Sequence, residues 1–343
     1  MCFGRSLERD ELDDLNARPV IPRNSMASTA PPPYQQQQYV PTQSHAPPPP
    51  DHEGARHADS TVYHDWTSIP DTSLLPPPPA LRNVTSPTSN AEVSEADRAL
   101  EFCDSNPLWQ PRQLSAEELQ SIRRDDITLS RPAEYFGELR RLAAGIWKAR
   151  TQESSQDSCL LSILPLYSSL NDSPLRTGMR KTIYFELRIL SLGRGRGAAQ
   201  SSLAIGFCAQ PQPTWRLPGW ERGSLGIHGD DGRRYVNDSF GGKDFTHPFE
   251  VGDVLGVGMT FSLTDANDSI PRPQTGGINA EVFLTRNGKK EGEWDIHEEL
   301  DAELDKSIEG LDGVYDLYAA IGTYGGVEFE AYFKSKDWLW VGK

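Results

Sequence analysis

From Thr182 to Phe333 the chain alternates short, β-rich apolar runs with turn residues. Valine, isoleucine, threonine and aromatic residues favour strands, whereas glycine, proline, asparagine and aspartate favour turns. Asn287-Gly288 lies between two such runs and is a hairpin signal, because both residues tolerate a positive φ. The pattern predicts an all-β fold, an antiparallel β-sandwich. The predicted strands are residues 182–190, 202–209, 224–229, 233–237, 253–261, 280–286, 317–324 and 327–333.

The segment before the sandwich carries a helix signal. Ser115 with Glu118 three residues later is a capping box, and it predicts a short helix through about Arg124. Short apolar runs at 126–129, 145–149 and 159–164 predict further strands. We therefore expect residues 93–180 to form a helix and strands that lead into a sandwich at 181–340.

The first 92 residues differ in composition from the rest of the chain. Sixteen of the 27 prolines precede residue 90, whereas seven of the eight tryptophans follow residue 100. Such a segment cannot bury enough apolar surface to offset its ordering entropy. The sequence predicts that residues 1–92 are a long, disordered, proline-rich arm.

Charge and cysteine content narrow the possible partners and compartments. A formal net charge of −15 argues against nucleic acid, whose phosphates require a basic face. No run of 18 apolar residues predicts a transmembrane segment, and the acidic N-terminus is unlike a secretory signal. The four scattered cysteines form no CxxC pair, which favours a reducing, cytoplasmic location without a zinc site. Cys2 is either an unmodified thiol or an S-acylation site that would give peripheral membrane association.

An acidic segment follows the Asn287-Gly288 turn. Residues 291–316 contain eleven acidic residues and one base, Lys306. Two interpretations stay open at this stage: a solvated insertion whose charges repel one another, or a docking surface for a basic partner.

Pro31-Pro32-Pro33-Tyr34 is a PPxY motif within the arm. Prolines in a polyproline II conformation fit an aromatic-lined groove, and Tyr34 would enter a neighbouring pocket, so a WW domain is the expected ligand. A chance match in a proline-rich tail is the alternative. No lysine precedes Lys148, so the arm offers a recruited ubiquitin ligase no acceptor.

His228, Asp230 and Asp231 are the residues that most resemble a metal or acid–base site. Adjacent residues of a turn point in different directions, and no second acidic cluster at ligand spacing accompanies them. A tight, glycine-flanked turn is the favoured interpretation. We expect no metal site, no cofactor and no catalytic residues.

Six sequence pieces, in this order and spacing, resemble the SPRY domain. They are residues 184–186, 204–207, 217–232, 252–259, 283–288 and 319–326, with LPGWERGSLGIHGDDG as the longest. The resemblance implies a β-sandwich that binds proteins through loops at one end. By motif, that surface would use Arg216, Trp220, Arg222, His228, Tyr324 and Gly325, with Tyr324 exposed. The alternative for Trp220 is a place in the core.

The LPGW…HGDDG form is most similar to SPRY domains of the Ran-binding-protein-M type and of fungal ubiquitin-ligase adaptors. Those adaptors lie on endosomal or vacuolar membranes, and their PPxY motifs recruit a WW-domain HECT ubiquitin ligase. The resemblance therefore implies an adaptor that binds a target through SPRY loops and a ligase through Pro31, Pro32 and Tyr34. The alternative is a scaffold subunit of a larger ubiquitin-ligase or chromatin-associated complex, with the arm as a spacer.

Overall fold

A computed structural model describes residues 93–195, 200–239, 241–264, 277–300 and 307–342. The four α-helices of these residues are α1 (Val93–Ser105), α2 (Ala116–Arg123), α3 (Ser169–Asp172) and α4 (Pro174–Thr177), and two short 3-10 helices span Ile296–Glu299 and Ser335–Asp337. The first strands are β1 (Gly137–Ala143), β2 (Ile146–Thr151), β3 (Ser158–Leu161), β4 (Lys181–Leu192), β5 (Ser202–Cys208), β6 (Ser224–His228) and β7 (Arg233–Val236). The later strands are β8 (Lys243–Asp244), β9 (Val254–Leu263), β10 (Ile278–Arg286), β11 (Lys289–Asp295), β12 (Tyr318–Tyr324) and β13 (Val327–Tyr332).

These strands form two antiparallel sheets. The seven-stranded sheet has the order β1-β2-β13-β4-β9-β10-β11, and the six-stranded sheet has the order β3-β12-β5-β6-β7-β8. Strands β1, β2 and β3, which precede residue 180, are members of these sheets. The predicted all-β antiparallel sandwich is confirmed.

The core lies between the sheets, where alternate residues of each strand turn inward. Phe185 of β4, Phe207 of β5, Phe261 of β9 and Phe329 of β13 are fully buried there. Removing one such side chain from water stabilises the fold by about 1.5–3 kcal/mol. The alternation in the sequence therefore assigns one face of each strand to this core.

The outer face of the seven-stranded sheet is covered by aromatic rings. The side chains of Tyr184 and Phe283 lie over Gly256 and Gly258 of β9, where a Cβ would come within 1.8 and 2.0 Å of them. Trp340 packs on both rings, at 4.7 and 4.9 Å between centroids. The buried Glu186 carboxylate accepts the backbone N–H groups of the C-terminal residues Leu339 and Trp340, each at 2.9 Å. The C-terminal segment is thus anchored to the middle of this sheet.

Two local predictions are confirmed. The Ser115 Oγ accepts the Glu118 amide at 3.2 Å while the Glu118 carboxylate accepts the Ser115 amide at 2.8 Å, and α2 begins there. Asn287 and Gly288, with φ of 53° and 78°, connect β10 to β11. Helix α1 and strand β1 were not expected.

The acidic segment 291–316 is neither purely a solvated insertion nor a free acidic surface. Its first five residues belong to β11. Glu291 pairs with Arg286 at 2.9 Å, and the buried Glu299 pairs with Lys243 at 2.7 Å. Asp316 accepts the amide of Ser169 at 2.8 Å. Several of its carboxylates therefore hold neighbouring elements together, while residues 301–306 lie outside the described residues.

Candidate functional site

The Leu217–Trp220 loop lies on the outer face of the six-stranded sheet because glycines make room for it. A Cβ on Gly226 of β6 would stand 2.2 Å from the Pro218 carbonyl oxygen, and one on Gly322 of β12 would stand 2.6 Å from Pro218 Cδ. Gly219 turns the loop with φ of 97°, a left-handed conformation that favours glycine. The LPGW motif is therefore a loop fitted to a strip of sheet that has no side chains.

Three packed aromatic rings, those of Trp220, His228 and Tyr235, hold this loop against the sheet. His228 of β6 stacks on Tyr235 of β7 at 4.1 Å between centroids, and the Trp220 ring packs against His228 in a tilted arrangement at 5.4 Å. The His228 Nε2 lies 2.9 Å from the Pro218 carbonyl oxygen. Burial lowers the pKa of His228, so the ring is neutral near pH 7. His228 is a structural residue that fastens the loop to the sheet.

Arg216 lies beside these rings with only 2% of its surface exposed. Its Nε forms an ion pair with Glu221 at 2.8 Å, and its guanidinium sits 4.4 Å from the centre of the Trp220 ring. Asp157 shares this buried region, and burial raises the pKa of its carboxyl group to about 7. The arrangement is an internal charge cluster beneath the loop.

Helix α1 packs against residues on both sides of the Leu217–Trp220 loop. Arg98 stacks on the Trp215 ring at 3.7 Å, and Phe102 meets that ring edge-on at 5.5 Å. The Arg222 Nη2 donates to the carbonyl oxygens of Cys103 and Asn106, at the C-terminal end of the helix. A cation at this end of a helix also complements its dipole. Arg222 thereby joins the segment that follows the loop to α1.

Tyr324 and Gly325 lie at the end of β12. Only 9% of Tyr324 is exposed, because its ring packs against the backbone at Gly195. The Gly325 amide donates to the Ser155 carbonyl oxygen at 3.1 Å, and its own carbonyl accepts the Thr151 hydroxyl at 2.6 Å. The expectation of an exposed Tyr324 is wrong, since the backbone at Gly195 packs directly against the ring.

The structure thus brings three of the six predicted residues together and separates the others. Arg216, Trp220 and His228 form one cluster, Arg222 belongs to the contact with α1, and Tyr324 and Gly325 lie at the strand end. Trp220 and Arg222 are half-buried, whereas Arg216 and His228 are buried. A direct contact of these residues with a partner stays a prediction. Trp220 is the strongest candidate for that contact, because it is the one member of the cluster that is partly exposed.

Several residues of this region were missed in the sequence. Three of them are Trp215, just before Arg216; Tyr235 of β7; and Asp157, just before β3. The ring partner of Trp215 and the cation near Asp157 come from distant segments, whereas Tyr235 stacks on the nearby His228. Trp215 was a signal that could have been used, because tryptophan is the preferred ring for cation–π contacts with arginine, and Arg98 makes that contact here.

Residues 228–232 form the expected tight turn. The Gly232 amide donates to the His228 carbonyl oxygen at 2.9 Å. The Asp230 carboxylate accepts the Ser202 hydroxyl at 3.0 Å, and the Asp231 carboxylate accepts the Tyr235 hydroxyl at 2.7 Å. Among the described residues no group of three or more His, Cys, Asp and Glu side chains could hold a metal ion.

The PPxY residues Pro31, Pro32 and Tyr34, the rest of the predicted arm and Cys2 lie outside the described residues. In the described part of the chain, no helix combines the length and apolar character that crossing a membrane requires.

Comparison with known proteins identifies the domain. Residues 182–263 match the family model of the SPRY domain. The chain contains a SPRY domain. The matched segment runs from β4 to β9, so it includes the Leu217–Trp220 loop and the His228 turn.

The chain is similar to curated proteins from animals and fungi. The chain is 35% identical over 105 residues to the Ran-binding proteins 9/10 homolog of Drosophila melanogaster, which covers 31% of this chain and 9% of that protein. It is 29% identical over 247 residues to Protein ssh4 of Sclerotinia sclerotiorum, which covers 71% of this chain and 38% of that protein. The chain therefore spans well under half of the length of these relatives.

A solved human SPRY domain aligns over 57% of this chain and 98% of its own length, with 21% identity and a TM-score of 0.36.

Proposed function

We propose that the chain is a non-catalytic adaptor, which binds a target protein through its SPRY domain and a WW-domain HECT ubiquitin ligase through Pro31–Tyr34. The observation that carries the proposal is the presence of a PPxY motif and a SPRY domain in one chain. SPRY domains are protein-interaction folds, which supports the first half. The similarity to Protein ssh4 extends across 247 residues, well beyond the matched domain segment.

The target would meet the surface around the Leu217–Trp220 loop. Trp220 offers a half-buried aromatic face there, and aromatic residues with a neighbouring arginine are frequent energetic centres of interfaces. Arg216 and His228 would act by holding Trp220 in place. We place the adaptor in the cytoplasm, with peripheral association at endosomal or vacuolar membranes as in the fungal adaptors that the sequence resembles.

The ligase half is tested with a peptide of residues 25–42. Polyproline recognition uses few side chains, so we expect binding to a WW domain at micromolar strength, about −8 kcal/mol. The Tyr34→Ala peptide should not bind. No detectable binding of the unchanged peptide to a panel of WW domains would contradict the ligase half and favour the scaffold alternative.

The target half needs its own experiment. Trp220→Ala should reduce the set of proteins that co-purify with the chain, whereas Met179→Ala, a change at an exposed apolar side chain just before β4 of the other sheet, should not. Co-purifying proteins that are unchanged in the Trp220→Ala chain would place the target surface elsewhere.

A further inference from the structure

Strand β1 is an edge strand with an unusual charge. It lies at the end of the seven-stranded sheet and pairs with β2 alone among the described strands. The hairpin formed by β1 and β2 contains Arg140, Arg141, Lys148 and Arg150 but one acidic residue, Glu138. A net charge of +3 on this hairpin contrasts with −15 for the whole chain.

The register of β1 shows which backbone groups face outward. The Gln152 amide donates to the Phe136 carbonyl oxygen at 3.3 Å, just before β1 begins. Hydrogen-bonded and non-hydrogen-bonded pairs alternate in an antiparallel ladder, so Glu138 and Arg140 bond to β2. The amides and carbonyls of Gly137, Leu139 and Arg141 then point away from β2. No other described segment has a backbone hydrogen bond to them.

A groove of about 700 Å³ opens at the start of this edge. Its lining includes Arg131, Phe136 and Arg150 and two carboxylates, Glu138 and Glu153, so the cationic character of the edge comes from Arg140 and the exposed Arg150 rather than from the groove as a whole. Phe136 is 57% exposed, and the Arg150 side chain is 72% exposed. The edge therefore combines open backbone groups with an aromatic contact and cationic side chains.

The arginines are only partly neutralised by the protein itself. Arg141 pairs with Asp126 at 2.5 Å, but Glu328, at 3.9 Å from Arg150, is already bound by Lys148 at 2.8 Å. Among the described residues, no carboxylate lies within ion-pair distance of Arg140 or Arg131. Cationic side chains on an edge strand discourage pairing with a second copy, because the two hairpins would repel each other. They favour a strand of opposite charge.

We propose that β1 is a docking edge for an extended, acidic segment of a partner protein, which adds to the sheet as a further strand. The partner's backbone would bond to Gly137, Leu139 and Arg141. Its acidic side chains would lie beside Arg140, and an apolar side chain would contact Phe136. This binding mode takes affinity from main-chain hydrogen bonds and specificity from alternate side chains. It does not depend on the PPxY motif, so its failure would leave the adaptor proposal unchanged.

The test uses the full chain and fluorescein-labelled peptides, with anisotropy as the readout. A peptide of alternating valine and glutamate should bind at least tenfold more tightly than one of alternating valine and lysine. Arg140→Glu should reverse that preference. Arg176→Glu, the same charge change at α4 beside β9, should not alter it. Both variants should retain the melting temperature of the unchanged chain.

N-methylated peptides separate strand addition from loose charge attraction. Methylating every second amide blocks one edge of the peptide strand, and methylating the other amides blocks the opposite edge. The peptide whose blocked edge would face β1 should not bind, whereas the other peptide should bind. Equal binding of the glutamate and lysine peptides, insensitivity to Arg140→Glu, or tolerance of both methylation patterns would each overturn the proposal.

Discussion

At the scale of single residues, the buried carboxyl group of Asp157 links the site to pH. Its pKa is raised by burial to about 7, with Arg216 acting in the opposite direction. The pKa of an aspartate in an unfolded chain is about 3.9. Between about pH 4 and 7 the folded chain therefore binds more protons at this group than the unfolded chain does. The contribution of Asp157 to the free energy of unfolding should fall as the pH rises through that window.

Asp157→Asn should remove this dependence. The amide is never charged, so the variant lacks the loss of stability that ionisation of Asp157 causes. The melting temperature of the variant minus that of the unchanged chain should therefore increase as the pH rises from 5 to 8. Burial lowers the pKa of His228, so its contribution to the free energy of unfolding falls as the pH falls. This contribution is the same in both proteins and cancels in the comparison. Thermal melts of the two proteins at pH 5, 6, 7 and 8 provide the measurement. A constant difference between them would contradict the assignment.

The three cysteines of the described residues should react slowly in the folded chain. Burial raises the pKa of Cys103 to about 11 and that of Cys159 to about 12, and it raises the pKa of Cys208 well above its usual range. Thiolates are the reactive species, so these thiols are protected twice, by burial and by protonation. A Cys2→Ser chain should give almost no fast reaction with Ellman's reagent until it is unfolded in urea. Fast reaction of the folded chain would argue against this packing.

At the scale of elements, the glycine strip under the Leu217–Trp220 loop gives a steric prediction. Gly226→Ala would force a Cβ within 2.2 Å of the Pro218 carbonyl oxygen and displace the loop. Such overpacking should cost about 1–3 kcal/mol of unfolding free energy. Gly326→Ala is the matched control, because its nearest neighbour is the flexible Glu153 side chain at 3.1 Å. Equal urea midpoints for the two variants would show that the loop is not held against the sheet.

The contact of α1 with Trp215 gives a second prediction at this scale. Phe102→Ala removes the edge contact with Trp215, so amides of residues 93–105 should exchange hydrogen faster. Amides of β5 and β6 should keep their protection, because their pairing does not involve α1. Glu101→Ala, on the exposed side of the helix, is the control. Unchanged hydrogen exchange in α1 after Phe102→Ala would mean that other contacts hold the helix in place.

Elements whose signal is local could be predicted, and those that depend on distant partners could not. The capping box at Ser115 located α2, and Asn287-Gly288 located the β10–β11 turn, because both signals lie within four residues. Helix α1 packs on Trp215, which lies far along the chain. Strand β1 shows no alternation of buried and exposed residues, since an edge strand leaves most of its side chains in solvent.

The candidate site was predictable in composition but not in exposure. The motif located Arg216, Trp220 and His228 in one cluster. It could not show that Arg216 and His228 are buried, because burial follows from how the loop folds back over glycines of two other strands. The enclosure of Tyr324 likewise depends on packing at Gly195, more than a hundred residues earlier in the chain.

At the scale of the whole molecule, the boundary between the arm and the ordered region stays a prediction. The proline-rich composition of residues 1–92 predicts rapid proteolysis, with a resistant core that begins between about residues 93 and 110. Limited trypsin or proteinase K digestion followed by mass measurement tests it. A stable fragment that begins near residue 20 would contradict the boundary.

The adaptor account is tested most directly by comparing the unchanged chain with its Tyr34→Ala variant in parallel affinity purifications. Tyr34 lies in the single PPxY motif of the sequence, so the account predicts that a WW-domain HECT ubiquitin ligase co-purifies with the unchanged chain and is lost from the variant. Proteins bound through the SPRY domain should remain with both chains, and both should have the same melting temperature. Full recruitment of the ligase by the Tyr34→Ala chain would contradict the account.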